Sequence, residues 1–183
     1  MARPRRSDDE QLLARIVVAL EERTDLTPWT LADVAPAAGI GPAALIRRFG
    51  SKSGLLRALT RRWIAEIPTE IPASAAEAER ELRAYVGREF GADSAAGAVF
   101  ALSEVVGEFD DPELAALLAD GWRRQAALLA GMLSALRLPR LGDADAAGLL
   151  LLDALHGSLF RSAVNLGPAS SLHTLDRFLE IHR

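Results

Sequence analysis

A chain of 183 residues with no cysteine is long enough to bury a core of its own. It has no disulfide, thiolate metal site or cysteine nucleophile. Half of its residues are hydrophobic and its formal net charge is -4, yet its apolar stretches fall short of the roughly 20 residues that cross a bilayer. The basic start, MARPRRSDDEQ, leads into no apolar segment, so neither a membrane span nor a secretory signal is expected and a cytoplasmic location is. Ala and Leu dominate and β-branched residues are sparse, which favours an all-α protein. The charge is unevenly distributed. Residues 1–66 hold eleven Lys and Arg against eight Asp and Glu, whereas 67–183 hold ten against seventeen. A basic head on an acidic body is the pattern of a chain whose head meets a polyanion.

In chain order, Ser7 and Glu10 have the spacing of a capping box ahead of Leu12, Leu13, Ile16, Val17 and Leu20, so a first helix is expected from Ser7 to about Arg23. After a turn at 24–28, Thr30 with Asp33 caps a short second helix that Gly39 closes in a left-handed conformation, Ile40 following as its apolar partner. Pro36 is expected to make this helix short or to delay its regular part, because it lacks the N–H that would bond Ala32. Pro42 opens a third helix of two turns, with Leu45 and Phe49 on one face and Ala43, Ile46 and Arg47 on the other. Gly50-Ser51 ends it, and a fourth helix runs from Lys52 to about Glu66. Two short helices joined by a tight Gly-containing turn and packed on a longer one make a helix-turn-helix unit. Five further helices are expected at about 74–91, 95–108, 112–137, 143–165 and 170–182, with Asp111-Pro112 a strong start and 144–166 apolar nearly all round. Two domains follow, 1–66 and 67–183.

From Ala43 to Arg62 the chain places Arg47, Arg48, Lys52, Arg57, Arg61 and Arg62 with no acid among them. Thr30-Leu31-Ala32-Asp33-Val34-Ala35, Ala38-Gly39-Ile40, Leu45, Arg48-Phe49-Gly50-Ser51-Lys52 and Leu55-Leu56 together resemble the N-terminal signature of TetR-type transcriptional regulators, over about residues 10–62. The resemblance implies a homodimer that dimerises through its last two long helices. It implies two helix-turn-helix heads on a near-palindromic DNA operator, and a body that binds a small-molecule effector and whose ligand releases a repressor. By position, Thr30 and Lys52 would hold phosphates, and Gly41, Pro42, Ala43, Ile46, Arg47 and Arg48 would lie on or beside the DNA-facing surface. Two positions depart from the family pattern. Ile46 stands where an aromatic, most often Tyr, is usual, and Gly41 where Ser or Thr is frequent; each departure removes a hydroxyl that would reach the DNA backbone.

Arg and Lys at helix ends supply affinity and salt dependence without reading sequence, a role that suits Arg48 and Lys52. Arg47 suits a bidentate contact to guanine O6 and N7, and Ala43 and Ile46 suit thymine methyls. The bland reading of Arg47 and Arg48 is a solvated helix face. Arg3, Arg5 and Arg6 fit either a basic arm on DNA or a solubilising tail. In the body, His156 and Asn165 with Phe100, Trp122 and Met132 form the candidate effector pocket, the alternative being a satisfied core His and interface polars.

Enzyme readings fail on spacing. Gly50-Ser51-Lys52-Ser53 lacks the full phosphate-loop spacing, the three His residues are too far apart for a metal site, and no nucleophile or carboxylate couple stands out. No cofactor or metal is expected. The rival to a regulator is a helical adaptor that turns its basic head towards a protein partner.

Overall fold

In a computed structural model, residues 4–23, 27–91, 103, 106, 107, 109–165 and 171–183 are described, with backbone alone at 4–7 and 163–165. The described residues form eight helices and no strand: α1 (Pro4–Glu21), α2 (Leu31–Ala38), α3 (Pro42–Phe49), α4 (Lys52–Glu66), α5 (Ala75–Phe90), α6 (Pro112–Leu136), α7 (Ala144–Asn165) and α8 (Ser171–His182). The all-α class is as expected. The helix expected at 95–108 lies largely outside the described residues. No helix among the described residues is long and apolar enough to cross a membrane. The chain divides into two compact units, Met1–Glu66 with Ser103–Asp120, and Ile67–Leu102 with Gly121–Arg183.

One expected boundary is corrected. α1 starts at Pro4, not at Ser7, so the Ser7/Glu10 box is not the start of the helix. Pro is well suited to a first turn, where the missing N–H would have had no intrahelical partner. Leu12, Leu13 and Ile16 bury the inner face of α1. α2 starts after Thr30 and keeps Pro36 within its eight residues. Ala32, whose carbonyl loses its helical donor to Pro36, is exposed and so open to water. Gly39 ends α2 at φ 70°, its N–H bonding the Pro36 carbonyl at 3.1 Å, a conformation that costs most residues a steric penalty but not glycine. Arg15 of α1 completes that end. Its Nε donates to the Ala37 carbonyl and its Nη2 to the Ala38 carbonyl, both at 3.1 Å, placing a cation at a helix C-terminus where unsatisfied carbonyls favour it.

Three of the four helices α5, α6, α7 and α8 are capped at their starts by side chains, of which Asp111 was expected from the sequence. Ser74 Oγ accepts from the Glu77 N–H at 3.3 Å. Asp111 Oδ1 accepts from the amides of Glu113 and Leu114 at 3.0 and 3.2 Å. Asp143 Oδ1 does the same for Asp145 and Ala146 at 2.9 and 3.4 Å. Each satisfies donors that the first helical turn leaves open. Leu82, Val86, Leu129, Leu133, Leu151, Leu155, Leu175 and Leu179 make the core of the second unit. α7 buries Leu151, Leu152 and Leu155 but leaves Leu149, Leu150 and Phe160 exposed. Its apolar circumference, evident in the sequence, is thus covered on one side within the chain.

Candidate nucleic-acid interface and body cavity

The surface of the first unit is set by how α3 is held. Gly41 and Pro42 start it, Leu45 is fully buried and Phe49 half-buried on its inner side, and Gly41, Pro42, Ala43, Ile46, Arg47 and Arg48 are all exposed. Helical periodicity makes this separation: Leu45 and Phe49 are four apart, and the outward residues fall on the rest of the circumference. Ile46 is 49% exposed and presents a hydrocarbon surface where a tyrosine would present a hydroxyl.

The start of α2 is fastened by Asp33, whose carboxylate accepts from the Thr30 N–H at 2.7 Å and from the Thr30 hydroxyl at 2.8 Å. Those two bonds, with Arg23 adding attraction, hold the Asp33 carboxyl below its ordinary 3.8. Because the Thr30 hydroxyl donates to Asp33, it must turn before it can donate to a phosphate, which is only an acceptor. Lys52 is tied in as well. Its Nζ donates to the Trp29 carbonyl at 2.7 Å and lies 4.2 Å from the centroid of the Trp29 ring, a hydrogen bond and a cation–π contact on one residue. Two of the ammonium's three donors remain.

The acid-free run of cations in the sequence is neutralised by acids from elsewhere in the same unit. Arg48 pairs with Asp9. Arg57 meets Glu113 at 2.6 Å and Asp111 at 3.7 Å, Arg61 pairs with Glu113, and Arg62 pairs with Glu66. Among the described residues Arg47 and Lys52 have no acidic partner, and of these two only Lys52 is bonded to the protein, through the Trp29 carbonyl. Exposed pairs such as Asp9–Arg48 contribute about 0–1 kcal/mol, so a phosphate can take the place of Asp9.

Two residues that shape this surface were not singled out in the sequence. Trp29, 1% exposed, precedes the Thr30 cap, and Val34, equally buried, stands at the fourth helical position. These are the two positions of a hydrophobic staple, the signal that would have found Trp29. Gly54 is the other, since a methyl built there would lie 1.8 Å from the Phe49 carbonyl oxygen. Only glycine allows the end of α3 and the first turn of α4 to come that close.

In the second unit, Trp122 and His156 meet edge to face at 5.6 Å, and Phe90 and His156 do so at 5.4 Å. Burial holds the His156 imidazole below its ordinary 6.5, against the opposing pull of Asp153. Met132 lines a separate small cavity of about 90 Å³ with Tyr85, Arg88 and Glu81 of α5 and with Pro68, Glu70 and Pro72 of the preceding linker. The candidates Trp122, His156 and Met132 are therefore divided between an aromatic cluster and a cavity wall. Phe100 and the side chain of Asn165 lie outside the described residues. Tyr85, the only tyrosine of the chain, and Gln125 were missed, although each is a polar residue at a helical core position.

Residues 25–59 match the model of a family described as bacterial regulatory proteins, tetR family. Over these residues the head of the chain is similar to that family. Solved structures share the whole TetR-like fold. A transcriptional regulator from Rhodococcus sp. Rha1 superposes with a TM-score of 0.65 at 18% identity, covering 95% of both chains. A TetR-family regulator from Agrobacterium tumefaciens gives 0.62 at 21% identity, covering 96% of this chain and 97% of that one. Salmonella enterica GusR gives 0.58 at 19% identity, with 99% and 95% covered. No curated protein matches the sequence. At these identities the likeness is one of fold, an all-helical TetR-like fold over nearly the whole chain.

Proposed function

We propose that this protein is a cytoplasmic repressor that binds a palindromic operator as a homodimer and is released by a small-molecule effector, with 1–66 as the DNA-binding domain and 67–183 as the effector-binding and dimerisation domain. The observation that carries the reading is the outward face of α3. Arg47 stands exposed without a protein counter-charge among the described residues, flanked by Ala43 and Ile46, while Leu45 anchors the helix from beneath. In this reading Arg47 reads a guanine edge and Ala43 and Ile46 touch thymine methyls. Arg48 and Lys52 hold phosphates, with Thr30, Gly41 and Pro42 beside the backbone. The exposed Leu149, Leu150 and Phe160 of α7 and Leu172 and Ile181 of α8 support pairing with a second copy through these helices. The two heads of such a dimer would engage half-sites roughly 34–36 Å apart.

Mobility shift with duplex DNA from upstream of the gene, at several salt concentrations, tests the reading. A sequence-specific shift that Arg47→Ala removes supports it. Equal weak binding to every duplex favours the adaptor with a basic head. Sedimentation supplies the second check, because a monomer at micromolar concentration contradicts the dimer.

A further inference from the structure

Asp9 of α1 and Arg48 of α3 are 39 residues apart in the chain, yet the Asp9 carboxylate accepts directly from the Nε of Arg48. The pair lies at the surface, with the Asp9 side chain 39% exposed and that of Arg48 30%. Neither helix depends on it for anchorage, because Leu45 is buried beneath α3 and Leu12, Leu13 and Ile16 beneath α1. A second carboxylate covers a donor of the same surface at Thr30, but Asp33 is three residues away and completes the capping box of α2. Asp9 has no such local duty, since it lies inside α1 and caps no helix start. Of the two cations of α3, Arg48 has this acidic partner and Arg47 has none among the described residues. A guanidinium presents the same N–H groups to a carboxylate as to a phosphate. Asp9 therefore occupies on Arg48 the place that a DNA phosphate would take.

We infer that Asp9 is a specificity-determining residue: an internal stand-in for phosphate that keeps Arg48 from DNA of arbitrary sequence and yields it to DNA on which α3 is in register. The inference rests on the reading of α3 as the helix that meets DNA. A duplex lacking the right bases is held by its backbone charge alone and slides past the protein, so no phosphate stays opposite Arg48. Asp9 belongs to the same folded unit and is always within reach. Base contacts fix the register of the helix on the duplex, and one phosphate then stands opposite the guanidinium. An exposed ion pair is worth at most about fivefold in an equilibrium constant, so a phosphate held in place displaces the carboxylate, which returns to water. Arg48 thus adds its contact to the specific complex and withholds it from the others.

Salt dependence is the readout, because each phosphate neutralised adds about 0.9 to the slope of log affinity against log salt. The full chain is titrated with the duplex that it selects from a random library and with a shuffled duplex of the same length. Asp9→Asn keeps the size and an acceptor oxygen but removes the charge. It is expected to tighten binding to the shuffled duplex by up to about fivefold and to steepen that slope by about one unit, leaving the slope on the selected duplex unchanged. Asp8→Asn removes the same charge from the exposed neighbouring residue and is expected to move neither slope by more than about half a unit. In an Arg48→Ala background, Asp9→Asn should leave the shuffled-duplex slope where Arg48→Ala alone puts it. An unchanged shuffled-duplex slope in Asp9→Asn, equal changes in Asp9→Asn and Asp8→Asn, or a steepening that persists without Arg48 overturns the inference alone. A wild-type chain that selects no sequence overturns the reading of α3, and the inference with it.

Discussion

On the outward face of α3 in the first unit stands a surface cation without a counter-charge among the described residues, and in the interior of the second a neutral acceptor is left without a donor among them. Arg48, Lys52, Arg57, Arg61 and Arg62 are each held by a carboxylate or a carbonyl, leaving Arg47 outward on α3. Gln125 keeps Oε1 buried and unbonded while its other end holds Tyr85. A surface cation without a partner is cheap because water solvates it, and it is where a polyanion would gain most. A buried acceptor without a donor is costly, because its lost hydration is not replaced. On the proposed reading the first unit meets a large charged partner at its face and the second binds a small molecule within.

The contrast breaks most readily at the supports. Leu45→Ala removes a fully buried side chain from beneath the recognition helix and is expected to destabilise the head by about 2–5 kcal/mol, as measured by denaturant titration, with loss of DNA binding. An unchanged midpoint would mean that α3 is not anchored as described. Gly148→Ala probes the body in the opposite sense. Its new methyl would lie 2.6 Å from the Ala126 carbonyl oxygen and 2.8 Å from the Ala130 methyl. Overpacking of this kind costs roughly 1–3 kcal/mol, visible as a lower urea midpoint.

Smaller effects sharpen the contrast. Lys52→Ala should flatten the dependence of operator binding on salt by about one unit of slope and weaken all sequences alike. It should also change Trp29 fluorescence, since the ammonium rests on that residue. A changed emission with an unchanged slope would confine Lys52 to a structural role. The pH responses are smallest. The folded His156 has its pKa lowered, so the unfolded chain takes up the proton first and the body should lose stability as pH falls below about 6.5, a loss that His156→Phe removes. The Asp33 pKa is also lowered, so its contribution is present above its unfolded value near 3.8 and is lost as pH falls through the lower folded value. Acid titration of Asp33→Asn followed by circular dichroism should lack that step.

The head was legible in the sequence because its geometry is encoded locally. Thr30 and Asp33 are three residues apart, Gly39 and Pro42 punctuate the turn, and Leu45 and Phe49 share a face by spacing alone. Arg48–Asp9 and Arg57–Glu113 are separated by 39 and 56 residues, so the neutralisation of the basic run could not be read from its own composition. The helices of the body were legible from their apolar spacing and from the Asp111-Pro112 start, but the joining of Tyr85 to Gln125 across forty residues was not. Helix starts are local facts, and which faces meet is not.

The central claim is that α3 reads DNA as one of two heads. Selection of bound duplexes from a random library by the full chain, repeated with Arg47→Ala, tests it most directly. The account predicts enrichment of an inverted repeat whose half-sites lie about one helical turn or its near equivalent apart, with a guanine preference that disappears in the variant. No enriched sequence, or the same preference with and without Arg47, would contradict it.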